Sequence, residues 1–478
     1  MKADNAPIIF WFRRDLRLSD HPGLAAAAAT GRPVISVFIR DEVVEALGAA
    51  PKWRLGLGLD AFACALHARG SRLILRKGKA LEVLRDLVDE TGAGSVHWTR
   101  AYDPASIERD KRIKAALKED GIEVASSPGH LLFEPWTVAT KAGGPFKVYS
   151  PYWRAVRSQE VPEASTEPSR LIPPETWPRT EDPGDWALGS EMRRGASVLR
   201  PHVQPGEAAA RAALDHFVDK NVNRYKDLRD RPDLAVTSGL SEYLSLGEIG
   251  PRTVWHAGMR ARETGAPGAE AFLRQLVWRE FSYHLMYHSP SLLNGNWRPE
   301  WDDFPWNTDA DHPNVAAWRQ AGTGIPMVDA GLREMYVTGR MHNRTRMIVA
   351  SYLTKHLMTH WKIGLDWFAD CLIDWDPAAN AMGWQWVAGS GPDAAPYFRI
   401  FNPETQAKKF DPDGAYRRRW IAEGQDAPPE TALSYFDAVP ESWGLRPDAE
   451  YPRPVVGLDE GRRVALSAYE SRRWRVTN

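Results

Sequence analysis

The first 130 positions alternate between short runs rich in β-branched and aromatic residues and stretches with apolar residues three or four apart, and nothing else in the chain restricts its fold as much. The strand candidates are 8–12, 33–39, 71–76, 96–100 and 122–126. Helical periodicity fills 24–29, 53–68, 81–90 and 106–119 between them. A strand followed by a helix and another strand returns parallel to the first, so the pattern predicts a Rossmann-like α/β domain with a five-stranded parallel sheet. No Gly-x-Gly-x-x-Gly follows the first strand; Phe12-Arg13-Arg14-Asp15-Leu16-Arg17 stands there instead. A dinucleotide bound by this chain is therefore expected elsewhere.

Residues 131–205 are rich in proline and charge, as in Leu171-Ile172-Pro173-Pro174, and read as an irregular linker draped over the surface. Beyond Glu207 the patterns are almost all helical. The expected division is an α/β domain over 1–130, a linker over 131–205 and an all-α domain over 206–478. Two cysteines, Cys64 and Cys371, fit free buried thiols in a reducing cytosol and are too few for a four-thiolate iron–sulfur cluster. No apolar run approaches the roughly 20 residues of a membrane helix, and no signal-peptide core opens the chain, so a cytoplasmic protein is expected. A net charge of −1 gives no global field for nucleic acid, although a local basic groove needs none. Tryptophan is the odd count: there are 21, and 14 lie beyond residue 250. Core packing explains most tryptophans, while a concentration in one half also suits stacking or electron transfer.

Four local patterns could carry chemistry. In Asp374-Trp375-Asp376-Pro377-Ala378-Ala379-Asn380-Ala381-Met382-Gly383-Trp384-Gln385-Trp386, Asp376 before Pro377 is a helix N-cap. The helix that follows puts Asn380 and Trp384 on one face and turns Trp386 roughly the other way, which suits a wedge between a buried cofactor and an exposed substrate. In Met341-His342-Asn343-Arg344-Thr345-Arg346-Met347, Asn343 and Met347 share a face, and Arg346 needs a carboxylate such as Asp374. His342, His356 and His360 make no metal-binding spacing, so no metal is expected. The turn Thr237-Ser238-Gly239-Leu240-Ser241 could give hydroxyl and N–H groups to phosphate oxygens. Gln275-Leu276-Val277-Trp278-Arg279-Glu280-Phe281 interleaves an indole with charge, as base stacking beside phosphate contact would require. Each of these also fits ordinary packing or capping.

Their order and wording together are more specific. Phe12-Arg13-Arg14-Asp15-Leu16-Arg17-Leu18-Ser19-Asp20, Trp278-Arg279-Glu280-Phe281, Thr323-Gly324-Ile325-Pro326-Met327-Val328-Asp329-Ala330, Met341-His342-Asn343-Arg344, Gly383-Trp384-Gln385-Trp386 and Tyr397-Phe398-Arg399-Ile400-Phe401-Asn402-Pro403 resemble the photolyase/cryptochrome family over essentially the whole chain. Among its members the match is nearest to the bacterial class I photolyases for cyclobutane pyrimidine dimers. The resemblance implies a light-driven carbon–carbon lyase in which photoexcited reduced FAD passes an electron to a dimer flipped out of DNA. By match, Tyr225, the turn Thr237, Ser238, Gly239, Leu240 and Ser241, and also Arg279, Arg346, Asp374, Trp375 and Asp376 would hold FAD. Asn380 falls where the family faces flavin N5; plant cryptochromes usually carry Asp there, so Asn380 implies repair. Trp384, Trp361 and Trp306 match an electron-passing chain, and Trp278 and Trp386 a pair embracing the dimer. Arg229, Arg344 and Asn343 match DNA- or lesion-contacting positions, and Met347 an apolar lesion contact.

Six-four photolyases use two histidines where this chain has Asn343 and Met347, so cyclobutane dimers are the expected lesion. Gln275 stands where cyclobutane enzymes usually have a lesion-bonding Glu, and Arg340 where many relatives have Trp. The expectation at Gln275 is retained binding with reduced quantum yield. The resemblance further implies a light-harvesting antenna in the N-terminal domain. The residues expected for folate after Tyr102 are not evident in Asp103-Pro104-Ala105-Ser106, which leaves a folate, a deazaflavin, another chromophore or none. Ultraviolet-damaged DNA is the expected partner of a monomer that needs neither membrane nor protein partner. The alternative reading is a cryptochrome-type blue-light receptor with flavin photoreduction and little or no repair, which Gln275 favours.

Overall fold

The computed structural model describes residues 5–393 and 398–476, so Tyr397 of the last motif lies outside the described residues. The alternating runs form one parallel sheet of strands β1 (Ile8–Phe12), β2 (Val34–Arg40), β3 (Leu73–Lys77), β4 (Ser95–Thr99) and β5 (Glu123–Ser127) in the order β3-β2-β1-β4-β5. Central strand β1 is buried along its whole length, and its Trp11 lies opposite Val37 on one side and Trp98 on the other. An all-parallel sheet is covered on both faces, which is why β1 reads as a continuous apolar run. Helices Pro22–Ala29 and Ala49–His67 cover the face of Phe10 and Phe12; helices Ala80–Thr91 and Pro104–Glu119 cover that of Ile9 and Trp11.

The strand order reverses beside β1, where open α/β sheets usually receive nucleotides. Here two ion pairs stand beside Trp11 of the central strand. Arg13 pairs with Asp110 at 2.7 Å and Arg109 with Asp41 at 2.5 Å, and both guanidinium groups lie over Trp11.

The remainder is helical and holds two apolar cores. One centres on helix Ala269–His288, the other on helices Pro326–Thr338, Asn343–Ser351 and Trp361–Cys371. Helix Pro377–Ala388 lies between them: Ala378 and Ala381 enter the first core, Trp384, Val387 and Ala388 the second. The two domains meet through the loop after β1. Leu16 N–H donates to Leu246 O at 3.2 Å, and at Gly247 (φ 68°) a Cβ would stand 2.1 Å from Arg14 O.

Two sequence expectations change. The 131–205 segment is only partly a surface linker, because Leu131, Phe133 and Val138 and helix Tyr149–Val156 enter the first helical core. Apolar residues spaced among prolines are too few to give a periodic signal, yet sufficient to bury a segment. Of the two free cysteines, Cys64 is exposed rather than buried as expected, while Cys371 packs against the second helical core. Among the described residues no helix is long and apolar enough to cross a membrane.

Candidate functional site

A cavity of about 940 Å³ opens between the two helical cores, with helix Pro377–Ala388 along it. Asp376 caps that helix, accepting from Ala379 N–H at 2.9 Å. Asn380, one turn on, donates through Nδ2 to Asp376 O at 3.0 Å, which leaves its Oδ1 as the acceptor directed away from the backbone. Arg346 meets Asp374 at 2.8 Å, the pairing expected from sequence. Trp384 is 3% exposed and packs against Phe368. Trp386 borders the same cavity rather than facing a separate surface, because the cavity wraps the helix; its Nε1 donates to Asp393 O at 3.0 Å.

Asp376 is the centre of a buried network that sequence reasoning missed. Tyr283 donates to its Oδ2 at 2.5 Å, and Arg14, from the loop after β1, reaches the same oxygen at 3.1 Å. Burial pushes the Asp376 carboxyl up, but Arg14, Arg279, Ala379 N–H and the Tyr283 hydroxyl outweigh it and hold the group below the usual carboxylate range. Tyr283 also lies 2.9 Å from His130 Nε2, which Arg279 approaches at 2.9 Å. Burial, then Arg279 and Arg14, push His130 well down, so its ring is neutral. Glu280 completes the cluster by accepting from Leu132 and Phe133 N–H; burial, opposed by Arg279, raises it to about 7. No periodicity links residues 14, 130, 283 and 376, so only the fold could bring them together.

The turn Thr237, Ser238, Gly239, Leu240 and Ser241 also borders the cavity. Gly239 takes φ 65°, a conformation that a side chain would strain. Among the described residues, backbone N–H groups 237–241 have no backbone partner, and the hydroxyls of Thr237, Ser238 and Ser241 have none either. Free donors of this kind facing a cavity suit an anionic group, and with the carboxylates and amide that line it they fit a flavin dinucleotide. Tyr225, Arg279, Arg346, Asp374, Asp376 and Asn380 border the cavity as expected.

A second group of lining residues is of different character: Trp278, Asn343, Met347, Gln275 and Trp386 border the same cavity, with Arg229 and Arg344. Trp278 is backed by Tyr149, stacked at 3.7 Å and nearly parallel. Arg229 lies over Tyr225, and Arg344 pairs with Asp230 at 2.7 Å. A second hollow of about 500 Å³ adjoins, bordered by Arg344, Lys409, Phe410 and Arg462. Gln275 makes no side-chain hydrogen bond among the described residues, so its amide is free to face a ligand.

Three expected residues lie off the cavity. Trp375 is half-buried against the second helical core, because alternation between Asp374 and Asp376 turns it away. Trp361 and Trp306 are buried behind Trp384. The Trp306 ring lies 5.1 Å from that of His360, which lies 5.4 Å from that of Trp361. Gly364, on the helix begun by Trp361, lets the Trp384 ring approach: a Cβ there would stand 2.1 Å from it. Asp103-Pro104-Ala105-Ser106 caps helix Pro104–Glu119, with Asp103 accepting from Ser106 N–H at 2.9 Å.

Comparison with known proteins agrees with this geometry. Residues 8–169 match the DNA photolyase domain and 272–471 the FAD binding domain of DNA photolyase. A deoxyribodipyrimidine photo-lyase of Agrobacterium fabrum is 44% identical over 98% of both chains. Cryptochrome-1 of Arabidopsis thaliana is 34% identical over 98% of this chain and 70% of its own. A bacterial class III photolyase from Agrobacterium tumefaciens superposes with a TM-score of 0.90 at 42% identity, covering 99% of each chain. The chain belongs to the photolyase/cryptochrome family and carries its FAD-binding domain over residues 272–471.

Proposed function

We propose that this chain is a DNA photo-lyase that repairs cyclobutane pyrimidine dimers under blue light. The observation that carries the reading is one cavity lined both by the hydroxylated 237–241 turn with Asp374, Asp376 and Asn380 and by Trp278, Trp386, Met347 and Asn343. Reduced FAD, when bound, supplies under blue light the electron that opens the cyclobutane ring and takes it back. The side chains do the rest. The turn at 237–241, Arg346–Asp374, Asp376 and Asn380 orient the cofactor, and the buried Asp376 network excludes water on its far side. Trp384, which borders the cavity, and the buried Trp361 and Trp306, joined to each other through His360, are assigned to electron delivery. Trp278 and Trp386 offer π faces to an extruded dimer, each base stack being worth ~1–3 kcal/mol. Extrusion costs a few kcal/mol and least where stacking is already damaged, which favours lesion over intact DNA. Arg229 and Arg344 are assigned to phosphates, so affinity should fall steeply with salt. The working unit is 206–478 together with the packed part of the 131–205 segment and Arg14 from the loop after β1, while the N-terminal domain is also the proposed seat of an antenna chromophore, folate or deazaflavin.

A cryptochrome-type receptor is the second reading, favoured by Gln275 and by the plant cryptochrome relative. The test is loss of dimers from ultraviolet-treated oligothymidine under blue light with a reductant. A folded, flavin-loaded protein giving no light-dependent reversal would assign it to the receptors.

A further inference from the structure

We propose that Arg340 is the cation that grips the diphosphate of the bound cofactor, and that a buried charge chain reaching into the N-terminal domain fixes its place. The proposal rests on the reading of the cavity as the FAD site. Arg340 borders the cavity along with the 237–241 turn, and its side chain is 36% exposed. One Nη donates to Glu242, the residue directly after that turn, whose side chain is only 1% exposed. The Nε of Arg340 is buried and has no partner among the described residues. A guanidinium carries five donors in a planar fork, so the contact with Glu242 leaves most of them for a second anion. The nearest free donors are the hydroxyls and N–H groups of the turn itself, which suit the same phosphate oxygens.

The fork is held from behind. Arg54, fully buried on helix Ala49–His67, lies 3.6 Å from Glu242 and bonds twice to Glu248, at 3.0 and 2.5 Å. Glu248 accepts also from Gly206 N–H at 2.9 Å. Two arginines and two glutamates cancel, so the chain tolerates burial, and none can leave without stranding a charge. Its cavity-facing end is the cation. The Trp that many relatives of the resembled family carry here could stack but brings no charge; Arg340 replaces it with a charge-assisted contact. A DNA phosphate is the competing anion, but Arg340 is tied to Glu242, the residue beside the polar turn, and not to Trp278 or Trp386.

The full-length chain, stripped of flavin, is titrated with FAD, ADP and riboflavin. Arg340→Gln should weaken FAD and ADP at least about tenfold, the loss of one charge-assisted contact, and leave riboflavin, which has no phosphate, unchanged. Arg340→Lys should recover part of the loss. Because Arg340→Gln leaves Glu242 underpaired and could unfold the chain, the double variant Arg340→Gln/Glu242→Gln, which keeps the interior neutral, must show the same selective loss. Equal weakening of FAD and riboflavin would mean a packing role and overturn the proposal. So would unchanged FAD binding with weakened DNA binding, which would give the cation to the substrate. A parent chain that binds no FAD would instead remove the reading beneath the proposal.

Discussion

Replacing Tyr283 by Phe removes one oxygen and leaves a ring that is 2% exposed in place. That oxygen donates to Asp376 at 2.5 Å and lies 2.9 Å from His130 Nε2. The first bond is to a carboxylate in a buried setting, and such bonds are worth about 1.5–3 kcal/mol. The second adds little to the loss, since Arg279 still reaches the same His130 nitrogen at 2.9 Å. Net destabilisation at neutral pH should therefore be about 1.5–3 kcal/mol, or roughly 3–12 °C in Tm for a cooperative unit on the order of 200 residues. The pH dependence separates this from a simple packing defect. Asp376 is held below its ordinary value of 3.8, so the stability it contributes is present above that pH and is lost as pH falls through the folded-state value. Without the hydroxyl its pKa rises toward 3.8, and the variant should unfold at a higher pH on acidification. Unfolding of the flavin-loaded protein, followed by tryptophan fluorescence from pH 7 downward, gives both quantities. An unmoved acid edge with a loss under about 0.5 kcal/mol would refute the claim that Tyr283 holds the charge on Asp376.

Gln275→Glu should raise the quantum yield of dimer repair without changing flavin content; no gain, measured by actinometry on oligothymidine, would sink the assignment of this position to the lesion. Trp278→Ala removes a stacking face and should weaken binding to dimer-containing DNA about 5- to 150-fold, from ~1–3 kcal/mol per stacked base, while barely altering intact duplex in a gel-shift titration. Gly364→Ala drives a methyl into the Trp384 ring, where only 2.1 Å is available, and should cost about 1–3 kcal/mol in thermal unfolding and loosen flavin retention. Affinity for damaged DNA should fall linearly on a log–log plot against salt, and Arg344→Gln should make that slope shallower.

The local layer of this protein was legible, and the global layer was not. Strand positions came within two residues because the central strands are short apolar runs fenced by turn residues, and the edge strand β5, which is not buried, was placed by the helices and turns before it. The capped helix after Asp376 was equally plain, since Asp-Pro at a helix start has one favourable geometry. Arg346 with Asp374 could be foreseen because a buried guanidinium needs a carboxylate and few were near. The Trp375 side chain lies off the cavity, packed against the second core, because membership of a motif says nothing about which way a side chain turns. Arg14, His130 and Tyr283 were out of reach, because residues far apart in sequence carry no periodic trace of their meeting. Arg340, unexplained as a letter, acquired a role only once Glu242 and Arg54 were found behind it.

The contact from Arg14 to Asp376 spans 362 positions. During synthesis the α/β domain emerges first and can close its sheet alone, since its contacts are local. The cofactor cavity cannot be finished at that stage. Its central carboxylate is made more than three hundred residues after the arginine that steadies it, and Leu131 to Trp153 must already lie in place to complete the surrounding core. Flavin capture is thereby placed at the end of assembly, and a fragment beginning at residue 206 would inherit the motifs without the cavity those motifs require.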